Sequence, residues 1–435
     1  MLDGPTSQTS NPSLHTPPST PVASSGFKRL ISALEVPAFR LLWIGSLFSI
    51  AAMQMNMIAR PWLAFDVSGS GAAVGLVALS QGLPMLIISP LGGVAADRLD
   101  KRFLIVTSQL MLGVLSLITV LLVLFDVTEV WHLVAIGIVH GITVPFNMPA
   151  RQAAIPELVG RERMPNAIAL HSTGRNMNRV AAPALAGLLL TWDPFIAFAA
   201  ITVFHVAAGV TITGLPSGMK AASKSLGASA ELLTGFRYIK SNPALMTLLL
   251  MALLPILFGM PFQYFLPVFQ AEVLFVDPSR LGLLYTALGI GALTGSFILA
   301  YIADTPHKGL LQLLSGIAFG VTLVFFALSN SYWLSFLMLL AVGMSSQAYL
   351  TLNQTLLMMS TDRALYGRVM SVYMMTRSAM PISTLPMGFL VDWWGPQGTI
   401  AGAGVILAVS LAIVGVLRPA QWRATKKEEV PIGTG

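Results

Sequence analysis

Residues 103–125 read Phe103-Leu-Ile-Val-Thr-Ser-Gln-Leu-Met-Leu-Gly-Val-Leu-Ser-Leu-Ile-Thr-Val-Leu-Leu-Val-Leu-Phe125, an unbroken run without a charge, framed by Lys101 and Arg102 on one side and Asp126 on the other. A helix of this length spans a hydrocarbon core of about 30 Å. The same pattern recurs outward in both directions. Apolar runs between charged or turn-rich breaks predict spans near 39–65, 73–95, 103–125, 130–152, 165–190, 194–215, 244–271, 280–302, 309–328, 332–358, 366–391 and 396–417. Across all 435 residues, 55% are hydrophobic and only 10% charged, against about 25% charged in soluble domains. The fold class is therefore an all-α membrane protein of twelve transmembrane helices in a lipid bilayer.

Charge distribution sets the expected orientation. The net charge of +7 could suit a nucleic-acid partner, but twenty of the 25 Lys and Arg residues lie in the two tails or in and beside alternate loops. Cytoplasmic loops of membrane proteins carry this excess, which predicts a multi-pass protein with both termini cytoplasmic and no nucleic-acid role. Opposite loops hold Asp66, Asp126, Glu129, Asp193, Glu272, Asp277 and Asp392, with Arg280 as their clear cation. Residues 1–38 read as a disordered tail and entry segment, and residues 1–26 lack the apolar stretch of a cleavable signal. Residues 418–435 form the other tail.

Residues 216–243, with Lys220, Lys224, Glu231, Arg237 and Lys240, form the longest polar connection and divide 39–215 from 244–417. An internal repeat supports two six-helix halves. Pro61, Asp66 and Asn147 precede Pro267, Glu272 and Asn353 by 206 positions, while Asp97 precedes Asp304 by 207. Such repeats are common in transporters whose halves rock about a central site. Two halves in one chain permit a functional monomer.

Several residues sit where lipid should exclude them. Arg175 and Arg179 lie one turn apart in the fifth span, with His171 a turn earlier; Arg60 and Arg377 lie in the first and eleventh. A membrane-buried arginine is costly and should face a wet cavity or a partner. None of the 18 Asp and Glu residues falls near the centre of a span, so these four cations could line a basic cavity for an anionic or polyphenolic substrate. Helix packing with carbonyl capping is the competing reading. Gln54, Asn56, Asn147, Gln263 and Asn353 could hydrogen-bond a solute or bridge helices. His140, His171 and His205 could titrate near neutral pH.

The loop Gly93-Val-Ala-Ala-Asp97-Arg98-Leu-Asp100-Lys101-Arg102 combines a glycine for close helix approach with an acid and cations that can pair across moving helices. In the fifth span, Pro183, Ala186 and Gly187 suit a kinked, close contact. Zero cysteines exclude disulfides and thiolate chemistry. No Walker loop, metal-ligand spacing or nucleophile and base pair stands out, which argues against an enzyme and against a cofactor. Gly289-Ile-Gly291-Ala-Leu-Thr-Gly295 lies inside an apolar run and reads as helix packing, not a dinucleotide fingerprint.

With Arg60-Pro-Trp-Leu-Ala-Phe-Asp66, Ser68-Gly-Ser70, Pro149-Ala-Arg151-Gln-Ala, Glu157-Leu158, Asn166-Ala-Ile-Ala-Leu170 and Gly235-Phe-Arg-Tyr238, the chain from about Phe39 to Arg418 resembles the major facilitator superfamily, and within it the drug and siderophore exporters. The resemblance implies alternating access and export of a small molecule driven by a proton gradient. It maps a gating motif to Gly93, Asp97, Arg98, Lys101 and Arg102, and an antiporter motif to Pro183, Ala186 and Gly187. Asp100 and Ala182 stand where glycine is usual. Many proton-coupled relatives carry an intramembrane acid absent here, leaving Asp66, Asp97 and His171 as proton-coupling candidates. Uniport, import and a non-transporting receptor or assembly factor remain alternatives.

Overall fold

The computed structural model describes residues 32–218, 228–302, 305–377 and 379–417. Asp304, the tail of residues 1–31 and that of 418–435 lie outside them. Helices dominate, because in lipid a backbone must satisfy its own polar groups within the segment. The first three are α1 (Pro37–Ser68), α2 (Gly71–Arg98) and α3 (Lys101–Leu124). Val130–Trp192 is one continuous run broken at Gly160, where φ is 71°, giving α4 (Val130–Gly160) and α5 (161–192). Then come α6 (Pro194–Thr213) and the linker helix α7 (Ala228–Ser241). Next is α8 (Pro243–Leu274), whose α-helical stretches alternate with π-helical segments at Pro255–Gly259 and Gln270–Leu274.

The remaining spans are α9 (Pro278–Tyr301), α10 (Lys308–Ala327) and α11 (Tyr332–Met359). They are followed by α12, which begins as Tyr366–Arg377 and resumes at Met380, and by α13 (396–417). Between these last two lies Gly395, with φ of 73°. Both Gly160 and Gly395 leave open space where a Cβ would stand, so backbone conformation and not packing requires glycine there. Ten stretches among the described residues are long and apolar enough to cross a membrane. The tenth contains both α12 and α13; the more polar α5 completes twelve.

Two helices, α1 and α2, run longer than the sequence predicts, by two to three residues at each end. The polar loop expected at 153–164 reduces to a turn at Gly160. Alternation up and down places Asp66, Asp193, Glu272 and Asp392 at one end, the acidic end. Arg98, Lys101, Lys308 and Arg363 mark the basic end. The largest apolar core joins α1, α5 and α8 through residues such as Met55, Ile58, Ala186, Phe265 and Phe269.

Candidate substrate cavity

The two halves meet along two helix pairs. In the first, α2 lies against α12 so closely that a Cβ on Gly82 would stand 1.9 Å from Pro381 Cγ, and one on Gly75 2.7 Å from the Thr384 carbonyl oxygen. At the acidic end, the Asp392 carboxylate accepts hydrogen bonds from Ser70 Oγ (2.8 Å), Gly71 N (2.5 Å) and Ala72 N (3.0 Å). These are the first, otherwise unpaired N–H groups of α2, where the helix dipole also favours an anion. A carboxylate of the second half thus caps a helix of the first.

In the second pair, a Cβ on Gly187 of α5 would fall 2.6 Å from Gly282 Cα of α9. Thr286 Oγ1 donates across to the Val180 carbonyl at 3.0 Å. Pro183 presents its carbonyl to Gly282, and Ala186 is fully buried. Pro183, Ala186 and Gly187 are thereby brought together on one helix contact. Near mid-depth, Arg179 Nη1 donates to Gln347 Oε1 of α11 at 2.9 Å, and Gln347 Nε2 donates to Thr351 Oγ1 at 3.1 Å. One turn nearer the basic end on the same face, Arg175 is exposed and His171 half-buried.

Two further arginines are deeply buried. Arg60 is 6% exposed; its Nη1 donates to Gln81 Oε1 at 3.0 Å, with His140 and Tyr264 of α8 within electrostatic range. It packs against neighbouring helices, with its guanidinium held on the Gln81 side chain. Arg151, also 6% exposed, donates from Nε to Asn147 Oδ1 (2.9 Å) and from Nη1 to Ser46 Oγ (3.1 Å). Its Nη2 is buried without a hydrogen-bond partner among the described residues. By sequence, Arg151 stands at the edge of the fourth predicted span. The available signal was Asn147, one turn away on the same face.

Asn147 Nδ2 donates to Ser108 Oγ (2.7 Å), Gln109 bonds Ser49, and His205 Nδ1 pairs with Gln109 Oε1 (2.8 Å). These bonds tie α1, α3, α4 and α6 into one polar network. Asn353 Nδ2 bonds the Leu248 carbonyl (3.0 Å), bridging α11 to α8, and Gln263 Nε2 reaches Met260 Sδ (3.3 Å). Asn56 is buried with Oδ1 unpartnered; Gln54 is half-buried. The Arg377 side chain lies outside the described residues. No Asp or Glu occurs among the buried described residues.

At the basic end, the close approach expected of Gly93 belongs to Gly92: a Cβ there would stand 2.0 Å from the Pro145 carbonyl oxygen, whereas at Gly93 it would meet nothing within 4 Å. Asp97 is half-buried, Arg98 exposed and Arg102 half-buried. Lys101, 1% exposed, pairs with Glu157 of α4 at 2.6 Å. Asp100, in the position where glycine is usual, accepts from Phe103 N at the start of α3 and from Gly218 N beyond α6. Burial pushes its carboxyl up. Hydrogen bonds from the Gly218, Phe103 and Arg102 backbones, with the Arg102 charge, outweigh that and hold it below the usual carboxylate range. Asp66 is exposed at the acidic end.

Residues 29–431 match the transmembrane secretion effector family. The chain belongs to that family. It is accordingly a major facilitator superfamily transporter, not an enzyme. Relatives of this family member include the enterobactin exporter EntS of Citrobacter koseri, 26% identical over 88% of this chain and 91% of that protein. EntS of Shigella flexneri is also 26% identical, over 88% and 90%. Solved structures share the fold. A bacterial homolog of the human lysosomal transporter Spinster, inward-facing and unoccupied, superposes with TM-score 0.67 at 16% identity over 91% of this chain and 98% of that one. The nucleoside transporter NupG does so with TM-score 0.69 at 13% identity over 89% and 99%.

Proposed function

We propose that this family member exports a small anionic or amphipathic compound through a cavity between its halves, by alternating access, from the cytoplasmic (basic) end of a cell's inner membrane. The observation that carries the anionic reading is Arg175 and Arg179 near mid-depth on one face of α5, with Arg60 and Arg151 buried on α1 and α4 and no buried acid among the described residues. In a low-dielectric site such fixed cations attract an anion and repel a cation. Arg175 and Arg179, with Gln347 and Thr351, offer donors on facing helices where the halves part. The direction of transport rests on the relatives' designation as exporters. The halves join at the acidic end and at mid-depth, which fits a cavity facing the cytoplasm. A single chain supplies both halves, so the monomer is the working unit.

Proton antiport, as the resemblance implies, needs a group that changes charge within the cycle. Asp66 and Asp97 lie near the two ends, and His171 is half-buried beside Arg175. Transport into proteoliposomes under pH gradients of either sign tests that coupling; movement indifferent to the gradient removes it.

For cargo, purified protein is assayed with 5-carboxyfluorescein, an anion, and ethidium, a cation. Arg175→Gln and Arg179→Gln should each slow carboxyfluorescein about 10- to 100-fold, the value of a hydrogen bond to a charged group. Ethidium movement should not exceed that of empty vesicles. An equal loss for a neutral compound would assign both arginines to packing.

A further inference from the structure

We infer that a cleft on the outer side of the second half binds one anionic glycerophospholipid, with an acyl chain between α9 and α10 and the phosphate at Lys308. Both α9 and α10 pack on α11, and between them lies a cavity of about 320 Å³. Ala348 and Leu352 of α11 form its floor, Ile298 and Ile302 one wall, Leu311 and Leu314 the other. The helices on which α10 packs most closely, α8, α11 and the α12–α13 run, all belong to the second half, so the cleft faces away from the first. Ile298 and Leu314 are 48% and 52% exposed. Apolar side chains exposed on the outside of a membrane bundle meet lipid tails.

The first half shows what closes such a seam. The offset of 207 positions that relates Asp97 to Asp304 also relates Gly92 to Leu299, Lys101 to Lys308 and Ser108 to Ser315. Deep in the second half, glycines bring α9 onto α11: a Cβ on Gly291 would stand 2.0 Å from the Leu340 carbonyl oxygen, and one on Gly295 2.5 Å from that of Met344. One turn on stands Leu299, whose side chain lines the cavity and holds the backbones apart. Its counterpart Gly92 instead packs directly on the Pro145 carbonyl. Ser108 accepts from Asn147 Nδ2 and clasps α3 to α4, whereas Ser315 lines the cleft and Asn353, the counterpart of Asn147, turns to the Leu248 carbonyl of α8. Lys101 is buried against Glu157. Lys308 is half-buried and pairs with no described acid.

At this depth hydrocarbon covers the cleft, and acyl chains supply it. From Met344 to Leu352 the cavity follows α11 for about 12 Å, close to half of a ~30 Å core, so one chain fits lengthwise. Charge selects the headgroup. Lys308 precedes Leu311 by three positions and so lies on the stripe of α10 that lines the cleft. Tyr301, 92% exposed at the end of α9, marks the same level as the membrane interface. No described side chain caps the start of α10, which leaves its first N–H groups open to a phosphate oxygen. A zwitterionic headgroup would bring its own ammonium against Lys308; an anionic one brings none.

The experiment releases the full chain intact in a native mass spectrometer from detergent containing equimolar phosphatidylglycerol and phosphatidylcholine of identical acyl chains, and counts the retained lipid. Wild type should keep one phosphatidylglycerol about fivefold more often than phosphatidylcholine, and Lys308→Gln should erase most of that preference, as expected for one lysine at a lipid surface. Ala348→Phe, which fills the floor, should cut retention of both lipids about fivefold or more; Ser315→Phe, from the α10 wall, does the same if the first variant does not fold. Added phosphatidylglycerol should raise the melting temperature of wild type and of neither filled variant, while melting without lipid reports whether each chain is folded. Equal retention of the two lipids by wild type, or a preference unmoved by Lys308→Gln, overturns the inference. Undiminished retention in a folded, filled variant overturns it as well, and so does inorganic phosphate that stabilises the chain as much as the lipid.

Discussion

The two ends of the molecule are held by different kinds of bond. At the acidic end and mid-depth, contacts run between the halves: Asp392 on the first turn of α2, Gly187 against Gly282, Thr286 to Val180, Arg179 to Gln347. At the basic end, the pairs described run within a half or onto the linker: Lys101 with Glu157, Glu35 with Arg163 at 3.5 Å, Asp100 with Gly218, and Tyr238 of α7 with Asp362 at 3.1 Å. The difference teaches which contacts belong to the fold and which to one position of a moving machine. In the alternating-access cycle proposed above, bonds within a half persist and bonds between the halves break each cycle.

The largest expected effect comes from wedging the acidic end apart. Gly187→Leu places atoms inside backbone contact distance of Pro278 and Gly282, and overpacking of this kind costs about 1–3 kcal/mol or more. Because the chain has no cysteine, Thr286→Cys gives a single thiol in the α5–α9 contact. Its labelling by a maleimide should accelerate at least tenfold in the Gly187→Leu background. Unchanged labelling would mean that the halves part elsewhere.

A smaller shift follows from the carboxylate that caps α2. Asp392→Asn retains shape but loses the charge, for about 1 kcal/mol, so the same thiol should label about fivefold faster. Amide exchange at Gly71 and Ala72 should rise with it. If exchange rises while labelling holds still, Asp392 orders the helix end without joining the halves.

The smallest effect belongs to the basic end. Asp100→Ala should lower thermal stability by about 1 kcal/mol, as for other helix caps, with Thr286→Cys labelling unaltered. Its carboxyl is held below the usual range, so the stabilisation is fully present above the unfolded carboxylate value of about 3.9 and fades as pH falls through the folded value. Melting curves at pH 7 and near pH 3 should therefore show the wild-type advantage at the higher pH and its decline at the lower. Faster thiol labelling in Asp100→Ala would erase the distinction between the ends.

Much of this architecture was readable from composition. Apolar runs gave the spans, and the 206-residue repeat gave the two halves. Charge at depth flagged Arg175 and Arg179, which lie near one another by helical period alone. Arg151 escaped notice because it sits at the edge of an apolar run, and its burial depends on Ser46 from another helix. The Gly92 contact escaped because one residue is about 100° around a helix, and only the position of α4 says which glycine faces it. Asp392 read as an ordinary loop acid. Its partners lie more than 300 positions away.

Sequence by itself determined that this chain is a helical membrane protein with a cationic, acid-poor interior, since runs of about 20 apolar residues fit a spanning helix and hydrocarbon makes each buried charge conspicuous. Tertiary structure decided which arginines are buried against neutral partners and which stand where the halves part. It also decided at which end the halves join. Those properties depend on distances between residues remote in sequence, and helical periodicity carries no information about which faces meet.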